Sequence, residues 1–174
     1  MKETGLYLMD SDVFISGKNQ YYAFNICPGF WRSLIHHYQA SHIASIDKVR
    51  NELLAGRKDD DLVKWVKDVL PAGFFRKTHA GDVVAAYREV MLWVQQNPQF
   101  LDPAKAKFAT EADGWLVAYA MIHGAIVVTN EQPSPGAKNR VKLPDVCVQF
   151  EVTYKDTFLM LKSLQIRFEW AGTT

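Results

Sequence analysis

Two short apolar runs that each stop at acidic residues restrict this chain more than any other feature. Gly5-Leu6-Tyr7-Leu8-Met9 ends in Asp10-Ser11-Asp12, and Ile126-Val127-Val128-Thr129 ends in Asn130-Glu131. Unbroken apolar character and β-forming residues mark strands buried on both faces, as in a mostly parallel sheet. The ligand crevice of such a sheet lies at the carboxyl ends of its strands. Two strand ends that deliver carboxylates therefore predict an acidic pocket at one edge of the sheet. Its expected occupant is a divalent metal ion.

Composition narrows the remaining routes to function. With 174 residues, 48% hydrophobic and 22% charged, the chain reads as one globular domain over 1–174, with the helices of about 60–97 as an elaboration. A net charge of +1 provides no global field for nucleic acid or anionic membrane, so any such attraction is local. Cys27 and Cys147 are too few for a disulfide framework and fit no zinc spacing, which points to a reduced, cytoplasmic protein. The first apolar run meets Asp10 too soon for a signal peptide. Residues 114–129, interrupted by His123-Gly124, are short for a membrane span, so no membrane partner is expected.

Helical spacing predicts helices over 30–38, 48–55, 60–70, 82–96 and 111–123. The stripe of Leu62, Trp65, Val66 and Val69 marks the third, and Asn97-Pro98 stops the fourth. A brief strand is expected at 42–45. The stretch 132–144 reads as an exposed loop carrying Lys138, Arg140 and Lys142. A short helix from Asp145, a strand near Val152, a helix about 158–164 and a last strand near Arg167 complete the chain. Strands alternating with helices argue for an α/β sandwich around a parallel sheet.

Four acids stand where this organisation can bring them together: Asp10, Glu52, Asp113 and Glu131, with Asp12 and Asp145 as further candidates. Several carboxylates without a committed His or Cys suit Mg2+ or Mn2+, hard ions that take oxygen ligands and keep waters for exchange with phosphate oxygens. Such ions activate water and stabilise a leaving oxygen, whereas the empty cluster repels itself and raises its own pKa values. Each acid also has an ordinary explanation. Asp10 and Asp12 can start a turn, Glu52 can pair with Lys48, Thr110-x-x-Asp113 can form a capping box, and Glu131 can be a loop acid. Ser11 and Thr129 are placed to orient carboxylates, while His36, His37 and His42 read as structural.

The order of these residues resembles the PIN-domain superfamily of nucleases. Its pattern is a strand ending in Asp, a Glu on an early helix, Ala-Asp opening a later helix, and a strand ending in Thr-Asn-Asp. The matching stretches here are Leu8-Met9-Asp10-Ser11-Asp12, Val49-Arg50-Asn51-Glu52-Leu53, Ala112-Asp113-Gly114-Trp115 and Val127-Val128-Thr129-Asn130-Glu131. Cys27-Pro28-Gly29-Phe30-Trp31 and Lys142-Leu143-Pro144-Asp145-Val146-Cys147 look like a bacterial branch associated with toxin–antitoxin loci. The resemblance implies a three-layer α/β/α sandwich and a Mg2+- or Mn2+-dependent endoribonuclease, the toxin of a toxin–antitoxin pair. Asp10, Glu52, Asp113 and Glu131 are then catalytic and metal-holding, with Asp12 and Asp145 assisting, and water activated by the ion is the nucleophile.

The chain departs from that pattern at Glu131, whose extra methylene moves the carboxylate outward, and at Asp12, where Asn, Ser or Thr is usual. RNA contact falls to Lys138, Arg140 and Lys142, with Lys18 and Arg32 as secondary candidates. Apolar faces on the helices near Leu62 and Val83 suit an antitoxin or a homodimer. Two other readings stand beside this one. A catalytically degenerate PIN-like module would bind RNA or protein without turnover. A haloacid-dehalogenase-type phosphatase would share the Asp10-x-Asp12 start, but Ala86 stands where its late acidic motif needs Asp.

Overall fold

The computed structural model describes residues 5–170 and Gly172. Its strands are β1 (Tyr7–Met9), β2 (Ile43–Ile46), β3 (Phe75–Arg76), β4 (Ile126–Val128) and β5 (Tyr154–Lys155). They form one five-stranded sheet in the order β3-β2-β1-β4-β5, and every pairing is parallel. All residues of β1, β2 and β4 are buried, as their continuous apolar runs require. The chain winds outward from β1 through β2 to β3, then returns to the other flank of β1 with β4 and β5. Its winding direction reverses between β1 and β4, and a crevice opens at the carboxyl ends of such strands.

Helices flank this sheet in a three-layer α/β/α arrangement. They are α1 (Ser11–Ser16), α2 (Pro28–Gln39), α3 (Asp47–Leu54), α4 (Asp61–Lys64), α5 (Gly81–Gln96), α6 (Asp102–Thr110), α7 (Asp113–His123), α8 (Leu143–Gln149) and α9 (Thr157–Ser163). α7 ends at Gly124, whose φ of 62° is the left-handed cap that lets the chain reverse directly into β4. α5 lies along α7, with Tyr87 and Trp115 stacked at 3.7 Å between ring centroids. On the β2 side the core is aromatic: Phe24 stacks on Trp31 at 4.0 Å, Trp31 meets Trp65 edge-on at 4.8 Å, and Phe14 meets Phe74 at 6.1 Å. Burying an apolar side chain of this kind contributes about 1.5–3 kcal/mol.

Several local expectations give way to packing. Residues 11–16 form a helix rather than a turn, because Asp10 caps it by accepting from the Ser11 amide at 2.6 Å. The helix predicted over 60–70 widens into a π-turn at Trp65–Val69, closed by Leu70 N donating to Trp65 O. That wider turn rotates Val69 into solvent and puts Leu70 inwards. The strand at 42–45 sits one residue later, and that near Val152 forms at Tyr154–Lys155. Among the described residues no strand forms near Arg167. Phe168 instead packs against Tyr22 and Phe30, 5.7 and 6.4 Å between centroids. α6 and β3 carried no clear sequence signal: α6 buries only Ala104 and Phe108, and β3 is two residues long.

Candidate active site

At the β1–β4 reversal, a cavity of about 190 Å3 is lined by Asp10, Ser11, Asp12, Glu52, Glu111, Asp113, Glu131 and Arg140. Four separate elements deliver the acids. Asp10 follows β1, Glu52 rides on α3 after β2, Asp113 opens α7, and Glu131 leaves β4. The Asp10 amide donates to Val128 O at 2.9 Å, so the two strand ends are tied together where the acids emerge.

Asp10 and Asp12 share one hydroxyl. Thr129 Oγ1 lies 3.1 Å from Asp10 Oδ2 and 3.2 Å from Asp12 Oδ2, and accepts from the Glu131 amide. A hydroxyl has a single proton to donate, so it satisfies only one of the two carboxylates at a time. Asp12 Oδ2 also accepts from the Asn130 amide at 2.8 Å, while its Oδ1 is buried without a partner among the described residues. Asn130 turns away, its Oδ1 accepting from the amide and hydroxyl of Thr157 at the start of α9. The β4 exit is therefore held between α1 and α9.

Neither ordinary explanation for Glu52 or Asp113 holds. Lys48 Nζ lies over the Trp115 ring, 5.0 Å from its centroid, and makes no ion pair with Glu52 among the described residues. Glu52 Oε1 instead accepts from the Ala112 amide at 2.7 Å, pinning the start of α7 to α3. Thr110 Oγ1 donates to Lys107 O rather than to α7, so the capping box is not formed. The Asp113 carboxyl is buried and receives no hydrogen bond or ion pair among the described residues.

Glu131 differs from the other acids. Its Oε1 is 2.6 Å from Arg140 Nη2 and 3.7 Å from Lys142 Nζ, and its Oε2 accepts from the Leu143 amide at 3.0 Å. Two of the three cations expected to meet RNA thus touch an acid of the pocket. Lys138 is exposed, and its carbonyl accepts from the Leu101 amide. Asp145 does not line the acidic cavity. It accepts from the Ser134 amide and borders a separate cavity with Trp93, Phe100 and Pro133. Lys18 pairs with Asp60 at 2.7 Å. Glu111 also lines the site, although the sequence offered it only as a helix start.

The acids resist joint ionisation. Burial pushes the Asp10 carboxyl well above the usual range, and Asp113 and then Asp12 add to the shift. Burial does the same to Asp113, followed by the charges of Glu111, Glu131 and Glu52. Burial also raises Asp12 and Glu111. Beneath them burial raises the Cys147 thiol, which removes it as a nucleophile.

An oxygen-only donor set and the orphaned Asp12 Oδ1 fit a hard divalent cation. Among the described residues no three His, Cys, Asp or Glu side chains converge closely enough to clasp an ion unaided. Among the described residues no helix is long and apolar enough to cross a membrane.

The fold is PIN-like. The crystal structure of FitAcB from Neisseria gonorrhoeae aligns with a TM-score of 0.52 at 16% identity, covering 86% of this chain and 96% of that one. That of VapBC2 from Rickettsia felis bound to a DNA fragment from their promoter aligns with a TM-score of 0.52 at 14% identity, covering 87% and 98%. At such identities the likeness is one of fold. Among curated proteins, none matches the sequence. The chain belongs to the family described as a domain of unknown function, DUF4411, whose model matches residues 7–168.

Proposed function

We propose that this chain is a Mg2+- or Mn2+-dependent endoribonuclease and the toxin of a toxin–antitoxin pair. One observation carries the reading: the buried carboxyls of Asp10 and Asp113 face a common cavity at the β1–β4 reversal with no cation paired to them among the described residues. A fold shared with FitAcB and VapBC2, both toxin–antitoxin complexes with a PIN-domain toxin, supports the biological context and an antitoxin partner. Asp10 and Asp113 would hold the ion, with Asp12, Glu52 and Glu111 around it. Bound there, it supplies Lewis-acid polarisation of a phosphate oxygen and a water acidic enough to attack at neutral pH.

The chain's own groups set up that chemistry. Ser11 N–H and the Thr129 hydroxyl hold the Asp10 carboxyl from two sides, fixing its direction. Glu52 fixes the height of Asp113 through the Ala112 amide. Thr129 offers a path for a proton between Asp10 and Asp12. The basic segment with Lys138, Arg140 and Lys142 offers phosphate contacts that carry no sequence information.

Purified protein incubated with a mixed single-stranded RNA pool and Mn2+ is expected to yield fragments ending in 5′-phosphates, and Asp10→Asn is expected to yield none. Absence of cleavage with either metal, together with no growth defect on expression, would overturn the reading. The paired state of Glu131 favours a second reading, a PIN-like binding module without turnover. That module binds RNA or protein without metal, and its binding survives Asp10→Asn.

A further inference from the structure

We propose that Glu131 is not a metal ligand but the positioning residue of an internal arginine clamp, which presents Arg140 to the scissile phosphate of RNA. The inference rests on the nuclease reading above and assigns new work within that site. Both Glu131 carboxylate oxygens are engaged, Oε1 by Arg140 and Lys142 and Oε2 by the Leu143 amide. The longer side chain that departs from the family pattern reaches these partners while still lining the cavity with Asp10 and Asp12.

Residues 140–143 alternate like an extended strand edge. Val141 and Leu143 are buried in the core, while Arg140 and Lys142 turn to Glu131. The preceding loop is fastened rather than free. Gln99 Nε2 donates to Pro135 O and Ala137 O, the Leu101 amide donates to Lys138 O, and the Ser134 amide donates to Asp145. A guanidinium held this way loses little freedom when it binds.

The chemistry of the lining favours this role. Six carboxyl groups and, among the described residues, one cation line the cavity, and that cation is Arg140. An approaching phosphate is repelled by the acids that remain negative, so the site needs a fixed positive group on its rim. Arg140 spends Nη2 on Glu131, and its side chain is 44% exposed. Its remaining N–H donors form a planar fork suited to two phosphate oxygens. Glu131 thus holds the arginine in place before substrate arrives.

Three readouts test the clamp. Calorimetric titration with Mn2+ is expected to give Glu131→Gln a dissociation constant within about threefold of wild type, while Asp113→Asn weakens it about tenfold or more. In the inactive Asp113→Asn background, a labelled oligouridylate is expected to bind more weakly when Arg140→Ala is added. The slope of log affinity against log salt should then fall by roughly one, and Arg140→Lys should restore the slope without the affinity. Glu131→Gln combined with Arg140→Ala is expected to bind no worse than Arg140→Ala alone, since one acts through the other. Circular dichroism verifies folding of each variant. Glu131→Gln weakening Mn2+ as much as Asp113→Asn would make Glu131 a ligand and overturn the proposal, as would an Arg140→Ala variant with unchanged affinity and slope. Failure of the nuclease reading looks different: the wild-type protein binds Mn2+ and oligouridylate yet cuts no RNA, and these binding measurements still decide the roles of Glu131 and Arg140.

Discussion

On the β1 side of the pocket, Asp10, Asp12 and Asp113 face one another without a cation in contact among the described residues, whereas on the α8 side Glu131 is closed off by Arg140, Lys142 and the Leu143 amide. Both halves present carboxyl groups to one cavity, yet only the first leaves its charge unopposed. An unopposed buried charge costs stability and survives where something outside the chain compensates it. A paired one is already compensated from within. The comparison separates acids left without a cation from an acid already paired within the chain, a distinction that residue type alone does not make.

The largest expected effects lie on the unopposed side. Asp10→Asn and Asp113→Asn are each expected to lower metal-dependent RNA cleavage by about 10²–10³-fold or more, read from initial rates at saturating Mn2+. Thr129→Val removes the hydroxyl between Asp10 and Asp12. It is expected to weaken Mn2+ binding about tenfold by titration and to cost about 1–2 kcal/mol in denaturant unfolding. On the paired side, Glu131→Gln is expected to slow cleavage only about tenfold. A loss as large as that of Asp10→Asn would erase the distinction between the halves.

The smallest effect is one of pH. Burial raises Asp10 and Asp113 in the folded state, so each binds its proton more tightly folded than unfolded. Their contribution to stability is therefore fully present below the unfolded carboxyl value near ~4 and is lost as pH rises through the folded value. Asp10→Asn has no such charge to bury. Without metal it is expected to melt higher than wild type at pH 7, by about 2–4 °C per kcal/mol gained, and the gap is expected to close as pH falls toward 4. A gap that widens on acidification would contradict the assignment.

Much of the pocket was legible because its parts sit at strand ends and helix starts, where burial pattern and topology leave little choice. Asp10 and Glu131 follow runs whose residues are all buried, and a parallel sheet with reversed winding brings those ends side by side. What stayed hidden depended on side-chain direction. Asp145 sits in the first turn of α8 yet accepts from the Ser134 amide, and Glu111 enters the cavity from the break between α6 and α7. The run Arg140-Val141-Lys142-Leu143 reads as a basic loop until Val141 and Leu143 are seen in the core. The π-turn at Trp65–Val69 also escaped notice, since a 3.6-residue period cannot register the extra residue that moves Val69 outwards.

Thermal unfolding of the purified, metal-stripped protein against increasing Mn2+ tests most directly whether the unopposed acids form an ion site. A dose-dependent rise in Tm at pH 7 is expected, shrinking at pH 5 as the raised carboxyls take up protons, and absent in Asp10→Asn. A flat response in the wild-type protein, or an equal rise in Asp10→Asn, would contradict the account.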